Sequence, residues 1–176
     1  LELTGKDISM YQRLLTHILG ENINSQISFQ NDLYPISELW KFGISGDLPI
    51  IFARIKNVND IDVISELIKA YEYFRTKNLE IDLVILNEEK DKYDSYVKDA
   101  IIDSILNRNL AYMLNIKGGI YVLNNIKDED KELISVYSKL IIDAKNGNLN
   151  LQLNDIEDAI QKVITNDVTE KIDFGL

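Results

Sequence analysis

The chain has 176 residues, of which 45% are hydrophobic and 27% charged; these proportions are typical of one globular domain and exclude general disorder. Its 29 acidic and 19 basic residues give a formal charge of −10, which disfavours binding to nucleic acid or anionic membranes, because both attract clustered Lys and Arg. The absence of cysteine excludes disulfides and a thiolate nucleophile.

The sequence shows neither a signal peptide nor an apolar run long enough to cross a membrane. It begins at Leu1 rather than Met and ends on EKIDFGL. We therefore expect a fragment of a larger multidomain protein, making no membrane contact itself. We expect it to be cytoplasmic, either free or within a membrane-attached parent protein.

Residues 1–45 are predicted to form a helix followed by an irregular connector. Apolar residues recur at helical spacing through GKDISMYQRLLTHILG, with Asp7 as the expected N-cap and Gly20 as the expected end. The next stretch, ENINSQISFQNDLYPISELW, has no sustained period and contains Pro35, which opposes a continuous helix.

Residues 46–147 alternate between strand and helix patterns. Short apolar runs predict strands at IIFARI, LEIDLVILNEE and GGIYVLNN. The segments that follow predict helices at NDIDVISELIKAYEYFRTKN, KYDSYVKDAIIDSILNRN and KDEDKELISVYSKLIIDAKNG. This alternation favours an α/β fold: a small three-layer α/β/α unit with a short, mainly parallel sheet of about three strands.

The remaining residues, 148–176, are predicted to form a C-terminal helical segment and an exit linker. The amphipathic pattern is clearest from Asp155 to Ile164.

The glycine-rich stretch LWKFGISGDLPIIFARI raises the question of a phosphate-binding loop. Such a loop needs glycines that follow a strand and begin a helix, so that backbone N–H groups converge on the anion. Here the glycines precede the strand, and the segments after the three strands contain neither a dinucleotide fingerprint nor a P-loop. The pattern therefore predicts no nucleotide cofactor.

We interpret the same stretch as a structural joint formed by Gly43, Ser45, Gly46, Asp47 and Pro49. The two glycines are expected to adopt positive φ or to allow close backbone approach. The aspartate is expected to cap a neighbouring backbone N–H, and the proline to fix the start of the strand.

Other polar residues lack the pattern of a catalytic or metal site. The single histidine, His17, lies at the edge of an apolar stripe without a readable nucleophile partner. The carboxylates of NEEKDKYD and KDEDKE are interpreted as charge at helix N-termini rather than as an acid–base pair or Ca²⁺ ligands. We assign no catalytic residue, no metal and no cofactor.

Aromatic residues cluster before the first strand, at Tyr34, Trp40 and Phe42, with Phe29 nearby. Aromatic faces pack on pyranose rings, but they also fill cores and interfaces. Packing is favoured, and carbohydrate binding by Trp40, Phe42 and Tyr34 is the alternative.

Three stretches together resemble a segment of the cyclic β-1,2-glucan synthases and their glycoside-phosphorylase-like relatives in glycoside hydrolase family 94, formerly glycosyltransferase family 36. They are LWKFGISGDLPIIFARI, LIKAYEYFRTKNLEIDLVILNEE and GGIYVLN. The first matches the family pattern from Leu39 to Pro49, and the second strand matches from Asp82 to Glu88. The intervening helix end matches at Glu72, Tyr73, Arg75, Lys77 and Leu79, whereas Tyr71, Phe74 and Asn78 replace the family's usual His, Trp and Gly.

The resemblance covers residues 37–125 and implies a parent protein that is a transferase or phosphorylase acting on β-glucan. The acid and phosphate site of such proteins belong to an (α/α)-barrel domain, so no family catalytic residue maps onto this sequence. The resemblance implies a non-catalytic α/β domain that positions neighbouring β-sandwich and (α/α)-barrel modules of the same polypeptide. Binding of a β-1,2-glucan oligosaccharide by the aromatic cluster is the alternative, and a glycosyltransferase-like fold without its sugar-nucleotide site is a third hypothesis.

Overall fold

The computed structural model describes residues 1–20, 33–91 and 93–173. The helices and strands in these ranges are α1 (Gly5–Leu19), β1 (Ile50–Ile55), α2 (Ile61–Thr76), β2 (Asp82–Asn87), α3 (Tyr96–Leu106), β3 (Ile120–Asn124), α4 (Asp128–Tyr137), β4 (Ser138–Asp143) and α5 (Leu149–Asp173). Short 3₁₀ turns lie at Ile36–Phe42, Val58–Asp60, Ala111–Met113 and Ala144–Asn146. Phe29 and most of the predicted connector lie outside the described residues.

The strands form one parallel sheet in the order β3-β2-β1-β4. The predicted α/β fold with a parallel sheet is therefore confirmed, and so are its three predicted strands. The described sheet has four strands rather than about three.

The additional strand, β4, corrects the third predicted helix. That helix was expected to continue through SKLIID, but α4 ends at Tyr137 and Ser138–Asp143 pairs with β1. Leu140 and Ile142 are buried while Ile141 between them is exposed, which is the period of two expected of a strand. Because apolar residues before and after Tyr137 also fit a helical spacing, the short run was ambiguous in sequence.

Two apolar layers hold the sheet between helices. Alternate residues of each strand point to opposite faces. Ile51, Leu83 and Ile120 contribute to the layer under α1, α2, α3 and α5, whereas Phe52 and Val84 pack on the opposite face with α4 and the Ile36–Phe42 turn. This arrangement confirms the three-layer prediction.

The start of α1 differs by three residues from the prediction. Thr4 is the N-cap rather than Asp7, and the two form a capping box. Thr4 Oγ1 accepts the Asp7 N–H at 3.1 Å, and the Asp7 carboxylate accepts the Thr4 N–H at 3.0 Å. That backbone hydrogen bond, supported by Lys69, lowers the pKa of Asp7. Gly20 ends the helix as predicted.

Helix α5 is longer than the predicted Asp155–Ile164 segment. Its first turns are anchored by the buried side chains of Leu149 and Leu153, and residues 161–172 are exposed. Among the described residues, no helix has the length and apolar character needed to span a bilayer.

Candidate functional site

The carboxyl ends of β1 and β4 lie where a doubly wound sheet commonly binds its ligand. Strands β1, β2 and β3 are added in sequence order toward one side of the sheet, whereas β4 lies on the other side of β1. Helices α2 and α3 pack on one face of the sheet, and α4 packs on the other. Such a reversal creates a crevice beyond the strand ends in open α/β sheets.

Three charged residues of this chain form a cluster at that edge. Arg54, near the end of β1, donates from Nε and Nη2 to the two carboxylate oxygens of Glu88 at 2.7 and 3.1 Å. Lys131 Nζ of α4 lies 3.0 Å from the same carboxylate, whose side chain is 18% exposed. The hydrogen bond from Arg54, with help from Lys131, lowers the pKa of Glu88 to about 2. Both cations are thus already paired with a carboxylate of the protein, and Lys131 also contacts Asp128 at 3.2 Å.

Side-chain amides close the same edge on either side of the cluster. Asn87 Nδ2 donates to Asn124 Oδ1 at 3.1 Å, which joins the ends of β2 and β3. On the other side, Gln152 Nε2 of α5 donates to the carbonyls of Asp143 and Gly147, both at 2.7 Å. These bonds use polar groups that would otherwise be available to a ligand.

The predicted acidic segments serve the helix starts beside this edge. Glu89 accepts the Val97 N–H at 3.1 Å in the first turn of α3, and Asp128, Glu129 and Asp130 occupy the first turn of α4. The interpretation of these carboxylates as helix N-terminal charge is confirmed for these four residues. No group of three or more His, Cys, Asp or Glu in the described parts of the chain is arranged to hold a metal ion.

His17 lies on α1 rather than at either edge of the sheet. Its Nε2 is 3.4 Å from Glu157 Oε1 of α5, and Arg13 donates to the same carboxylate at 3.0 and 2.9 Å. The residue belongs to a polar contact between the two helices.

The predicted joint lies at the opposite, amino edge of the sheet. Gly43 has φ +77° and ends the Ile36–Phe42 turn, while Gly46 has φ +81°. The expectation of positive φ at both glycines is confirmed. A Cβ atom on Gly46 would lie 2.6 Å from side-chain atoms of Ile36, so the turn also packs closely on the preceding segment.

The side-chain hydrogen bonds of Ser45 and Asp47 in this turn differ from those expected. Ser45 Oγ accepts the Asp47 N–H at 3.2 Å. The expected cap of a backbone N–H by Asp47 is not formed among the described residues; its carboxylate instead accepts from Lys117 Nζ at 3.1 Å. Pro49 directly precedes β1, and its carbonyl accepts the Asp82 N–H at 3.0 Å. A role for the turn as a joint between domains stays a prediction.

The three aromatic residues proposed for carbohydrate binding are not equivalent. Trp40 is 63% exposed, and its Nε1 donates to the Ser45 carbonyl at 3.3 Å, which fixes the ring. Phe42 and Tyr34 are partly buried against the second apolar layer. A hydrogen bond to Glu132 raises the pKa of Tyr34. Only Tyr34 of the three lines the neighbouring depression of about 460 Å³, so the described structure does not assemble them into one platform.

A buried carboxyl group, which the sequence did not single out, lies beside the joint. Asp82 at the start of β2 is 0% exposed, and its Oδ1 accepts the Gly118 N–H at 2.7 Å. The Gly118 carbonyl in turn accepts the Tyr71 hydroxyl at 2.6 Å. Asp82 Oδ2 and the hydroxyl of Tyr121 are buried without a hydrogen-bond partner in the described structure. Burial raises the pKa of Asp82.

The fold and its two edges define a doubly wound α/β domain whose carboxyl edge is occupied by its own side chains. Over 115 residues the chain is 27% identical to the cyclic beta-(1,2)-glucan synthase NdvB of Rhizobium meliloti (strain 1021). The matched segment is 62% of this chain but 4% of that protein, and no family model matches the chain. The similarity supports a relation between this chain and a short segment of that enzyme.

Proposed function

We propose that this chain is a non-catalytic α/β domain of a β-glucan-acting enzyme, of the cyclic β-1,2-glucan synthase or family 94 phosphorylase-like type. Its role is to position neighbouring β-sandwich and (α/α)-barrel modules of the same cytoplasmic polypeptide. The similarity to one segment of a glucan synthase supports the choice of parent enzyme.

The observation that best supports a non-catalytic role is the Arg54–Glu88–Lys131 cluster. An α/β domain that bound a sugar nucleotide or a sugar phosphate would need donors at the carboxyl edge for phosphate oxygens. Here the two cations are paired with Glu88 at 2.7–3.1 Å, and the carboxylate itself would repel an anion. A phosphate at this edge would have to compete with Glu88 for both cations.

The amino-edge turn suits a positioning role because it is rigidly held. Its glycines adopt conformations that other residues rarely accept, and its Pro49 carbonyl is bonded to the N–H of Asp82, the first residue of β2. A turn fixed in this way transmits a defined orientation to whatever docks on it.

Limited proteolysis tests the rigidity that this role requires. Chymotrypsin should cut after Tyr93, which is 98% exposed, before it cuts after Phe42 at the start of the joint segment. The reason is that cleavage needs local unfolding, which is easiest where few contacts hold the backbone. Mass spectrometry of timed samples gives the order of the cuts.

Early cleavage within residues 42–49, with the rest of the chain intact, would contradict the joint. Turnover by this chain of β-1,2-glucan with phosphate, or of glucose 1-phosphate with an acceptor, would contradict the non-catalytic role. The Tyr93 site serves as the internal control for protease activity.

A second candidate function, carbohydrate binding, is favoured by one observation, the exposed and fixed ring of Trp40. A sugar can stack on an aromatic face without a large ordering penalty when the ring is already held in place. Here the indole N–H bond to the Ser45 carbonyl supplies that restraint.

NMR titration with β-1,2-gluco-oligosaccharides distinguishes the two functions. If the chain binds sugar, the Trp40 indole signal and the Ser45–Gly46 amides should shift at millimolar ligand, and Trp40→Ala should abolish the shifts. Tyr96→Ala is the matched control, because Tyr96 is 62% exposed on the other edge of the domain. A spectrum that stays unchanged up to millimolar ligand would contradict carbohydrate binding and leave positioning as the remaining proposal.

A further inference from the structure

Asp82 connects two turns at the amino edge of the sheet, one through its backbone N–H and the other through its buried carboxyl group. The first turn, residues 46–49, reaches Asp82 through the Pro49 carbonyl, which accepts the Asp82 N–H at 3.0 Å. The second turn, residues 117–119, reaches it through the Gly118 N–H at 2.7 Å. The turns also touch each other, since Lys117 pairs with Asp47 at 3.1 Å. A Cβ on Gly118 would lie 3.7 Å from Leu48 Cδ1.

The ionised form of this carboxyl group is poorly compensated. One oxygen has a single backbone donor, and the other has no partner among the described residues. The cation that faces it, Lys117, is 56% exposed and already paired with Asp47. A buried charge with one hydrogen bond and no close counter-ion is disfavoured relative to its neutral form.

The other titratable groups around Asp82 do not supply the missing charge. Asp47 and Glu80 are carboxylates and disfavour a further negative charge, whereas Tyr71 of α2 and Tyr121 of β3 face it as neutral phenols. The neutral carboxyl group keeps the bond from Gly118 on Oδ1 and can place its proton on Oδ2.

We propose that Asp82 is a proton-linked lock, whose neutral form holds the 46–49 and 117–119 turns together and whose ionisation favours their separation. Opening of the 117–119 turn would expose the carboxyl group to water. Exposure to water stabilises the ionised form more than the neutral form, because a charged carboxylate loses more hydration free energy on burial. The inference goes beyond the proposed function and holds whether or not the turn joins two domains.

The direction of the pH dependence follows from linkage. Burial is the largest influence on the pKa of Asp82 and raises it, while the Gly118 hydrogen bond and Lys117 oppose the rise. The closed state therefore binds the proton more tightly than the open state, in which the carboxyl group has its ordinary pKa of about 3.9. The opening constant therefore increases as the pH rises from the ordinary pKa to the raised pKa of the closed state. Outside this pH window the opening constant does not change.

Amide hydrogen exchange measures the effect directly. The opening constant at the Gly118 and Asp82 amides, corrected for the intrinsic exchange rate, should increase by about tenfold for each pKa unit by which Asp82 is raised. A ¹³C titration of the Asp82 carboxyl group in the same samples should give a midpoint above the ordinary range and matching the exchange profile.

Two variants separate this group from its neighbours. Asp82→Asn keeps an oxygen that can accept from Gly118 but cannot titrate, so its opening constant should not change with pH. Asp47→Asn, the matched control on the exposed carboxylate of the same turn, should retain the pH dependence. A flat exchange profile in the unmodified chain, a profile that persists in Asp82→Asn, or an ordinary carboxyl midpoint would each overturn the lock. If Asp82→Asn fails to fold, the carboxyl titration and exchange of the unmodified chain decide the matter.

Discussion

Replacing Gly119 with alanine should destabilise this domain by about 3 kcal/mol or more, the range expected when a close-packed site is forced apart. A Cβ atom at this position would lie 2.1 Å from the Met113 carbonyl oxygen and 2.7 Å from that of Ile116. Both are backbone atoms, so no side-chain rotation relieves the collision. Chemical denaturation followed by circular dichroism measures the loss.

The position matters because Gly119 holds two elements together. Its N–H donates to the Ile116 carbonyl at 2.9 Å. Its own carbonyl accepts the Leu83 N–H at 3.0 Å, and this bond aligns the starts of β2 and β3. A backbone shift that accommodates alanine would stretch these bonds.

Gly5→Ala is the matched control, since nothing lies within 4 Å of a Cβ at that position and it opens α1. We expect it to be neutral or to stabilise the chain by up to about 1 kcal/mol, because alanine restricts the unfolded chain more than glycine does. Equal stability of the Gly119→Ala variant and the unmodified chain would contradict the close approach at β3.

Glu88→Gln should produce the second large effect, a loss of about 2 to 3 kcal/mol at pH 7, the scale for a partly buried carboxylate whose pKa is strongly lowered. The variant removes the negative charge that lies between Arg54 and Lys131 and leaves the two cations near each other. Denaturation curves recorded from pH 7 down to pH 2.5 measure it.

The effect should shrink in acid. The pKa of Glu88 is lowered in the folded chain from 4.5 to about 2, so the folded state binds its proton less readily than the unfolded state. Its contribution is therefore complete above the unfolded value, and it is lost as the pH falls through the folded value. The stability difference between the variant and the unmodified chain should shrink across that interval.

Asp128→Asn is the control for this cluster. Its carboxylate also contacts Lys131, at 3.2 Å, but its side chain is almost fully exposed. Such a pair contributes little, so the variant should lose less than about 1 kcal/mol. A similar loss in both variants, or a Glu88→Gln difference that is constant with pH, would show that Glu88 does not act through its charge.

The central strands were predictable because their signal is local. IIFARI, DLVILN and IYVLN are short apolar runs bounded by turn residues, and each became a strand. β4 was not predictable in this way. It follows α4 without a turn residue between them, and its identity depends on an open edge of β1 that only the folded sheet provides.

The site shows the same division between local and distant causes. Positive φ at Gly43 and Gly46 followed from glycine chemistry, and the structure has it. The Arg54–Glu88–Lys131 cluster joins residues from three separate segments, so no spacing along the chain reveals it. An arginine inside an otherwise apolar strand, and an aspartate at the start of one, were the available signals for that cluster and for Asp82.

The strand order has a consequence for the growing chain during translation. β1 is made before β2 and β3, yet its second neighbour, β4, leaves the ribosome last of the four. Until Ser138–Asp143 emerges, a nascent chain presents one unpaired backbone edge of β1, which can pair with a strand of another chain.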